Sequence, residues 1–157
     1  MLPDDLLKPE QIRIDDAAAS KKKALESIAG LFAASVNMPN ADSIFEKLLE
    51  REQLGSTGMN HGIALPHARM KGISKPQGAL VRLQQGVDFD ALDDQPVDLL
   101  FGLLVPENAT EEHLSLLANL ARLFGDQQLC GQLRRAKTAQ GIMELLYPQP
   151  LADAAAR

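Results

Sequence analysis

Val97-Asp-Leu-Leu-Phe-Gly-Leu-Leu-Val105 is the run that decides the fold. It is apolar almost throughout and lacks the alternation of a strand with one wet face, so it reads as a central strand buried on both sides. Pro106 ends it, because proline has no N–H to continue a ladder. Working outward, Ala79-Leu-Val-Arg-Leu83 reads as a second strand, and Ile12 and Ile14, flanking Arg13, as a third near the sheet edge. Between the first two, Gly86-Val-Asp-Phe-Asp and Asp93-Asp94-Gln-Pro96 supply turn residues and one further short strand.

Helical spacing occupies the rest. Ser20 is placed to cap a helix whose apolar stripe is Leu25, Ile28, Ala29, Phe32 and Val36, ended by Asn37 and Pro39. Lys21, Lys22 and Lys23 in its first turn oppose the helix macrodipole. A second helix is expected to start near Asn40 to Ser43, where Ser43 and Glu46 have capping-box spacing, with Ile44, Phe45, Leu48 and Leu49 inward and Leu54-Gly55 as its stop. After Pro106, Asn108 and Glu111 have capping spacing for a helix that carries His113, Leu117, Leu120, Ala121 and Phe124 on one face. Two short helices follow, one with Leu129, Cys130 and Leu133, the other capped by Thr138 and running through Ile142, Leu145 and Leu146. Leu6 and Leu7, between Pro3 and Pro9, suit a single helical turn. Helices on both sides of one sheet give the expected fold: an α/β class, single-domain α/β sandwich around one central sheet.

Bulk properties narrow the function. A chain of 157 residues suits one domain with a full core, and net charge −5 with pI about 5.2 offers no field to draw in nucleic acid. The single Cys130 builds no internal disulfide, which fits a reducing compartment. Met1-Leu-Pro-Asp-Asp5 has neither the basic nor the apolar part of a secretory signal, and no apolar run approaches the ~18 residues of a membrane span. A cytoplasmic protein with no membrane insertion is expected.

The chemistry concentrates in Gly55-Ser-Thr-Gly-Met-Asn-His-Gly-Ile-Ala-Leu-Pro-His67. The glycines allow a tight turn, Ile63 to Leu65 anchor it, and Pro66 stiffens the approach to His67. A ring so mounted suits nucleophilic work. His113, in the first turn of its helix, stands where a helix terminus favours an anion and disfavours imidazolium. Neutral imidazole is the form that attacks phosphorus. Arg51 precedes the glycine turn, and Arg69 and Lys71 follow His67; an arginine fork matches phosphate oxygens. Plainer readings stand beside these: a loop histidine, a structural helix-end histidine, a solvated cation. No Walker-type glycine loop supports nucleotide binding, and His61-x5-His67 matches no common zinc spacing, so neither cofactor nor metal is expected.

At Gly62-Ile-Ala-Leu-Pro-His67 the chain resembles the enzyme IIA domains of the bacterial phosphotransferase system, fructose/mannitol class. The wider run Arg51 to Arg69, the segment Phe89 to Pro106, and Glu112-His-Leu-Ser-Leu-Leu-Ala-Asn-Leu-Ala121 resemble its nitrogen-regulatory branch. The resemblance implies a type-2 EIIA domain over residues 1–147, an α/β sandwich with a mixed central sheet, and leaves a tail over 148–157 whose residues read as disordered or a frayed helix. It implies a phosphotransferase in which His67 accepts a phosphoryl group on Nε2 from HPr or its nitrogen-branch paralogue (NPr). His113 becomes the second active-site histidine and Arg51 the active-site arginine. With Arg69 from the reading above, the phosphoryl-binding set is Arg51, Asn60, His61 and Arg69. Relatives usually read Thr-Gly-x-Gly-Asn-Gly where this chain has Thr57-Gly-Met-Asn-His-Gly62, which puts His61 at the usual asparagine position. His61 either substitutes as a donor or is an extra imidazole beside the site. Regulation of nitrogen, carbon or potassium metabolism through target proteins is the implied role. The alternative is a sugar-specific IIA that passes phosphate to a IIB domain.

Overall fold

The computed structural model describes residues 2–148, so the tail after Pro148 lies outside the described residues. A 3-10 turn at Pro9–Gln11 leads into β1 (Ile12–Asp16), α1 (Lys21–Ala33) and α2 (Ala41–Gln53). Then come β2 (Ile63–Ala64), β3 (His67–Met70), β4 (Gln77–Val87) and β5 (Val97–Pro106). The chain closes with α3 (Thr110–Phe124), α4 (Gln127–Arg135) and α5 (Ala139–Leu146).

The run Val97–Pro106 is the hub of the sheet. β5 pairs antiparallel with β4 on one side and parallel with both β2 and β3 on the other, while β1 pairs parallel with β4 at the far edge. The sheet is therefore mixed, as expected. β2 and β3 are two pieces of one edge strand, because Ile63 lies opposite Leu99 and His67 opposite Leu103 with no slip between them. The break falls at Leu65-Pro66, where the Leu103 N–H still donates to the Pro66 carbonyl at 2.9 Å.

Alternation along β5 sorts the two cores. Leu100 and Leu104 join Ala24, Leu25, Ile28, Phe32, Ile44 and Leu48 beneath α1 and α2. Leu99, Phe101, Leu103 and Val105 join Leu120, Phe124, Leu133, Ile142 and Leu146 beneath α3 to α5. Helix α1 comes down on Gly102, where an added Cβ would stand 2.7 Å from Ile28 Cγ2 and 3.2 Å from the Phe32 ring. Arg82 of β4 is buried, and its Nη1 donates to the carbonyls of Leu133 at 2.8 Å and Ala136 at 2.6 Å. Those are terminal carbonyls that α4 cannot satisfy itself.

Several expected boundaries shift. Helix α1 stops at Ala33 and leaves Val36 86% exposed. The cause is tertiary: the Gln11 side-chain amide donates to the Leu31 carbonyl, and the Ser35 N–H turns to Phe32. Ser20 caps α1 as expected, but α2 is capped by Asn40, whose Oδ1 accepts the Ser43 N–H at 2.8 Å. Ser43 thus lies inside the helix. Helix α3 has Ala109 at its N-cap with no side-chain cap, so Asn108 does not play that part. No separate strand forms over 88–96, which is a loop, and the N-terminal leucines sit in a turn closed by Leu6 N–H to the Pro3 carbonyl.

Candidate functional site

The glycine turn delivers His67 by folding back on its own approach. The Met59 N–H donates to the Ile63 carbonyl at 2.7 Å and the Leu65 N–H to the Thr57 carbonyl at 3.2 Å. Gly58 is required by close packing, since a Cβ there would stand 2.9 Å from the Ala91 Cα. Gly62 is required by its backbone, with φ +81° and the Arg134 guanidinium 2.8 Å from where its Cβ would be.

His67 opens β3, half-buried, with both ring nitrogens engaged. Nδ1 lies 2.9 Å from the Leu65 carbonyl oxygen, which can only accept, so Nδ1 carries the proton. Nε2 is then the unprotonated nitrogen, and the Arg51 Nε–H donates to it at 3.2 Å. Arg51 Nη1 also donates to the Gly55 carbonyl at 2.8 Å, which holds the guanidinium across the turn. The His113 ring centroid stands 5.3 Å from that of His67, tilted by 55°. His113 is buried, and its Nδ1 has no hydrogen-bond partner among the described residues.

A cleft of about 640 Å³ opens over this group, lined by Lys47, Arg51, Leu54, His67, Arg69 and His113 among others. Burial is the main cause holding His67 below its ordinary pKa of 6.5; the Leu65 carbonyl opposes it, Arg51 adds to it, and Glu52 opposes it. Burial likewise lowers His113, helped by the charges of His67, Arg69 and Arg51. The result is a pair of rings biased to neutrality beside two arginines. Such an arrangement can receive an anion and offer it a nitrogen lone pair.

Arg51, His67, Arg69 and His113 are thus brought together, whereas Asn60 and His61 do not line the cleft. Asn60 is exposed, and His61 sits at φ +63° in a separate depression with Asp93, Asp98 and Arg134. Its N–H donates to Asp93 Oδ2 at 2.9 Å, its carbonyl accepts from Arg134 at 2.8 Å, and its Nε2 is 3.3 Å from the Gln127 amide nitrogen. The turn is held by the backbone of His61, and its ring faces α4. Sequence reasoning gave no part to Glu52 and Thr57, a buried polar pair behind Arg51, which the half-buried Lys21 joins with Nζ 3.1 Å from Glu52 and 4.0 Å from the exposed Asp90. The available signal was capping logic left unused: Lys21 in a helix first turn calls for a nearby anion. Among the described residues no group of three or more His, Cys, Asp or Glu is placed to hold a metal ion.

Residues 5–148 match the family described as phosphoenolpyruvate-dependent sugar phosphotransferase system, EIIA 2. The chain belongs to that family of phosphotransfer components. Within it the similarity runs to nitrogen regulatory proteins. One from Pseudomonas aeruginosa is 46% identical over 91% of this chain and 93% of its own length. The crystal structure of nitrogen regulatory protein IIA-Ntr from Neisseria meningitidis superposes with TM-score 0.84 at 38% identity, covering 90% of this chain and 96% of that one. IIA mannitol from Escherichia coli shares the fold, with TM-score 0.74 at 22% identity over 88% of this chain and 97% of that one. The fold class expected from β5 and its flanking helices is thereby shown. No helix among the described residues is long and apolar enough to cross a membrane.

Proposed function

We propose that this chain is a regulatory phosphocarrier of the nitrogen branch, which accepts a phosphoryl group on His67 Nε2 from a phosphorylated HPr-like protein (NPr) in the cytoplasm. One observation carries the reading: the Leu65 carbonyl accepts a hydrogen bond from Nδ1–H, so the lone pair is on Nε2, beside the cleft's arginine. In the step, the Arg51 N–H leaves Nε2 and turns to the incoming phosphoryl oxygens. The Nε2 lone pair forms the new N–P bond while the donor's N–P bond breaks, its electron pair returning to the donor ring. His67 needs to lose no proton, since Nδ1–H stays on the Leu65 carbonyl. The step balances with no metal ion or nucleotide.

Arg51, Arg69 and His113 supply the electrostatic positioning that dominates phosphoryl transfer. Once attached, the group adds about −1.5 to −2 charge at pH 7 to a cleft whose lining includes Lys47, Arg51 and Arg69 beside Glu50. That change is large enough to alter which protein partners bind this face, which is how the state of His67 would be read by regulatory targets.

The test is to mix the chain with a phosphorylated HPr-type donor and look for an acid-labile, base-stable adduct. Uptake by the native chain and none by His67→Ala supports the reading. Uptake by His67→Ala places the acceptor elsewhere. Rapid onward transfer to a IIB cysteine would favour the sugar-specific alternative.

A further inference from the structure

Behind the cleft a buried carboxylate and a helix-start lysine meet, and neither is explained by the acceptor chemistry alone. Glu52, next to last in α2, is 6% exposed, although glutamate is rarely buried unless paired. Its Oε1 accepts the Thr57 N–H at 3.0 Å, and its Oε2 accepts the Thr57 hydroxyl. Lys21, the first residue of α1, places Nζ 3.1 Å from Glu52 Oε1 and 4.7 Å above the Phe89 ring. Three segments converge there: the start of α1, the end of α2 and the glycine turn. The pairing also accounts for Lys21, whose place in a helix first turn the macrodipole disfavours.

We propose that Glu52, clamped to Thr57 and neutralised by Lys21, is a positioning residue for phosphoryl transfer at His67, an inference that rests on the acceptor reading above. Two consequences follow from the geometry. Successive helical residues point about 100° apart, so anchoring Glu52 inward sets the direction in which Arg51 leaves α2, toward His67 Nε2. The carboxylate is also the anion that acts on His67 against Arg51, while Arg51, Arg69 and the His67 ring act on His113. As Nε2 bonds phosphorus the ring gains positive charge, and the Leu65 carbonyl and Glu52 are the groups that favour that charge. Lys21 keeps the carboxylate from standing alone in the interior, where an unpaired charge is strongly destabilising.

Three variants test this: Glu52→Gln, Lys21→Met and the two together, each checked for folding by circular dichroism and thermal melting. The readouts are an NMR titration of the His67 ring in the unphosphorylated protein and single-turnover phosphoryl uptake from the donor. Folded Glu52→Gln is expected to titrate His67 at lower pH and to slow uptake by roughly tenfold or more, as expected of a misaimed catalytic arginine. The double variant, which also lacks the carboxylate, is expected to stay within about threefold of Glu52→Gln in uptake, since Lys21 keeps Asp90 at 4.0 Å when Glu52 is neutral. Folded Glu52→Gln with unchanged titration and uptake overturns the proposal. So does slowed uptake with an unmoved titration, which would mean a merely structural role, or full recovery in the double variant, which would trace the loss to the lysine rather than to the missing carboxylate. If Glu52→Gln does not fold, Thr57→Val removes one clamp and keeps the ion pair; slowed uptake then supports the proposal and native uptake overturns it. A native chain that takes up no phosphoryl group sinks the acceptor reading, while the His67 titration still decides whether Glu52 acts on the ring.

Discussion

The Nε–H of Arg51 is donated to the Nε2 of His67 across 3.2 Å, so the unphosphorylated protein keeps its one available ring lone pair occupied by the group that would also hold the phosphoryl oxygens. Under the proposed reading, a donor must take that guanidinium before it can be attacked, so Arg51 would both cover the nucleophile and receive its substrate.

Replacing Arg51 by Lys keeps a positive charge but loses the planar fork. Single-turnover uptake from a phosphorylated HPr-type donor is expected to fall by roughly 10²-fold or more, of the size seen when one transition-state donor is removed. In Arg51→Gln, where a charge that lowers the His67 pKa is gone, the His67 ring is expected to titrate at higher pH. Uptake within a few-fold of native in Arg51→Lys would remove Arg51 from the chemistry.

Acidity should weaken the fold and the reaction together. Both His67 and His113 have folded pKa values below the ordinary 6.5, mainly through burial. Below about pH 6.5 the unfolded chain binds more protons than the folded one, so stability falls as pH drops and is regained as pH rises to neutrality. Melting temperature followed from pH 7.5 to pH 5 is expected to decline, and less steeply in His113→Gln. The acid limb of phosphoryl uptake is expected to lie below 6.5, since the neutral ring persists there. An acid limb above that value would contradict the burial of the ring.

His61→Asn is expected to leave uptake within about threefold of native, because the ring faces Gln127 and lies outside the cleft. Asparagine also tolerates the left-handed backbone that His61 adopts at φ +63° better than most residues, so thermal stability should hold or rise slightly. Loss of uptake by tenfold or more in a folded His61→Asn would bring the imidazole into the site after all.

Gly102→Ala tests the contact between α1 and the sheet. The new methyl would stand 2.7 Å from Ile28 Cγ2 in a core with no room, and overpacking of this kind costs about 1–3 kcal/mol. Chemical denaturation should show that loss with an unchanged m-value. The His67 geometry lies on the edge strand, so uptake by the folded fraction should stay near native.

The outline was legible wherever a pattern is local. The apolar run of β5, the stripe of α1 through Phe32, and the caps at Ser20 and Thr138 all follow from the period of a helix or strand and the chemistry of its ends. Boundaries failed where a distant side chain intervened: Gln11 ends α1 early by taking the Leu31 carbonyl. The strand over His67–Met70 was likewise unreadable in its own residues, because four residues on a sheet edge are held by β5 rather than by propensity.

By itself the sequence determined that the fold is a helix-covered sheet, that one glycine-rich turn carries the candidate histidine, and that arginines stand near it in the chain. Those are properties of spacing and residue type. The tertiary structure alone decided which nitrogen of His67 is free, since the proton is placed by the Leu65 carbonyl, and which histidine stands beside it, since His113 arrives from another helix. It alone separated His61 from the cleft and brought Lys21 to Glu52. The reason is physical: hydrogen-bond direction, burial and charge proximity depend on distances between segments that lie far apart in the chain, and no local pattern encodes those distances.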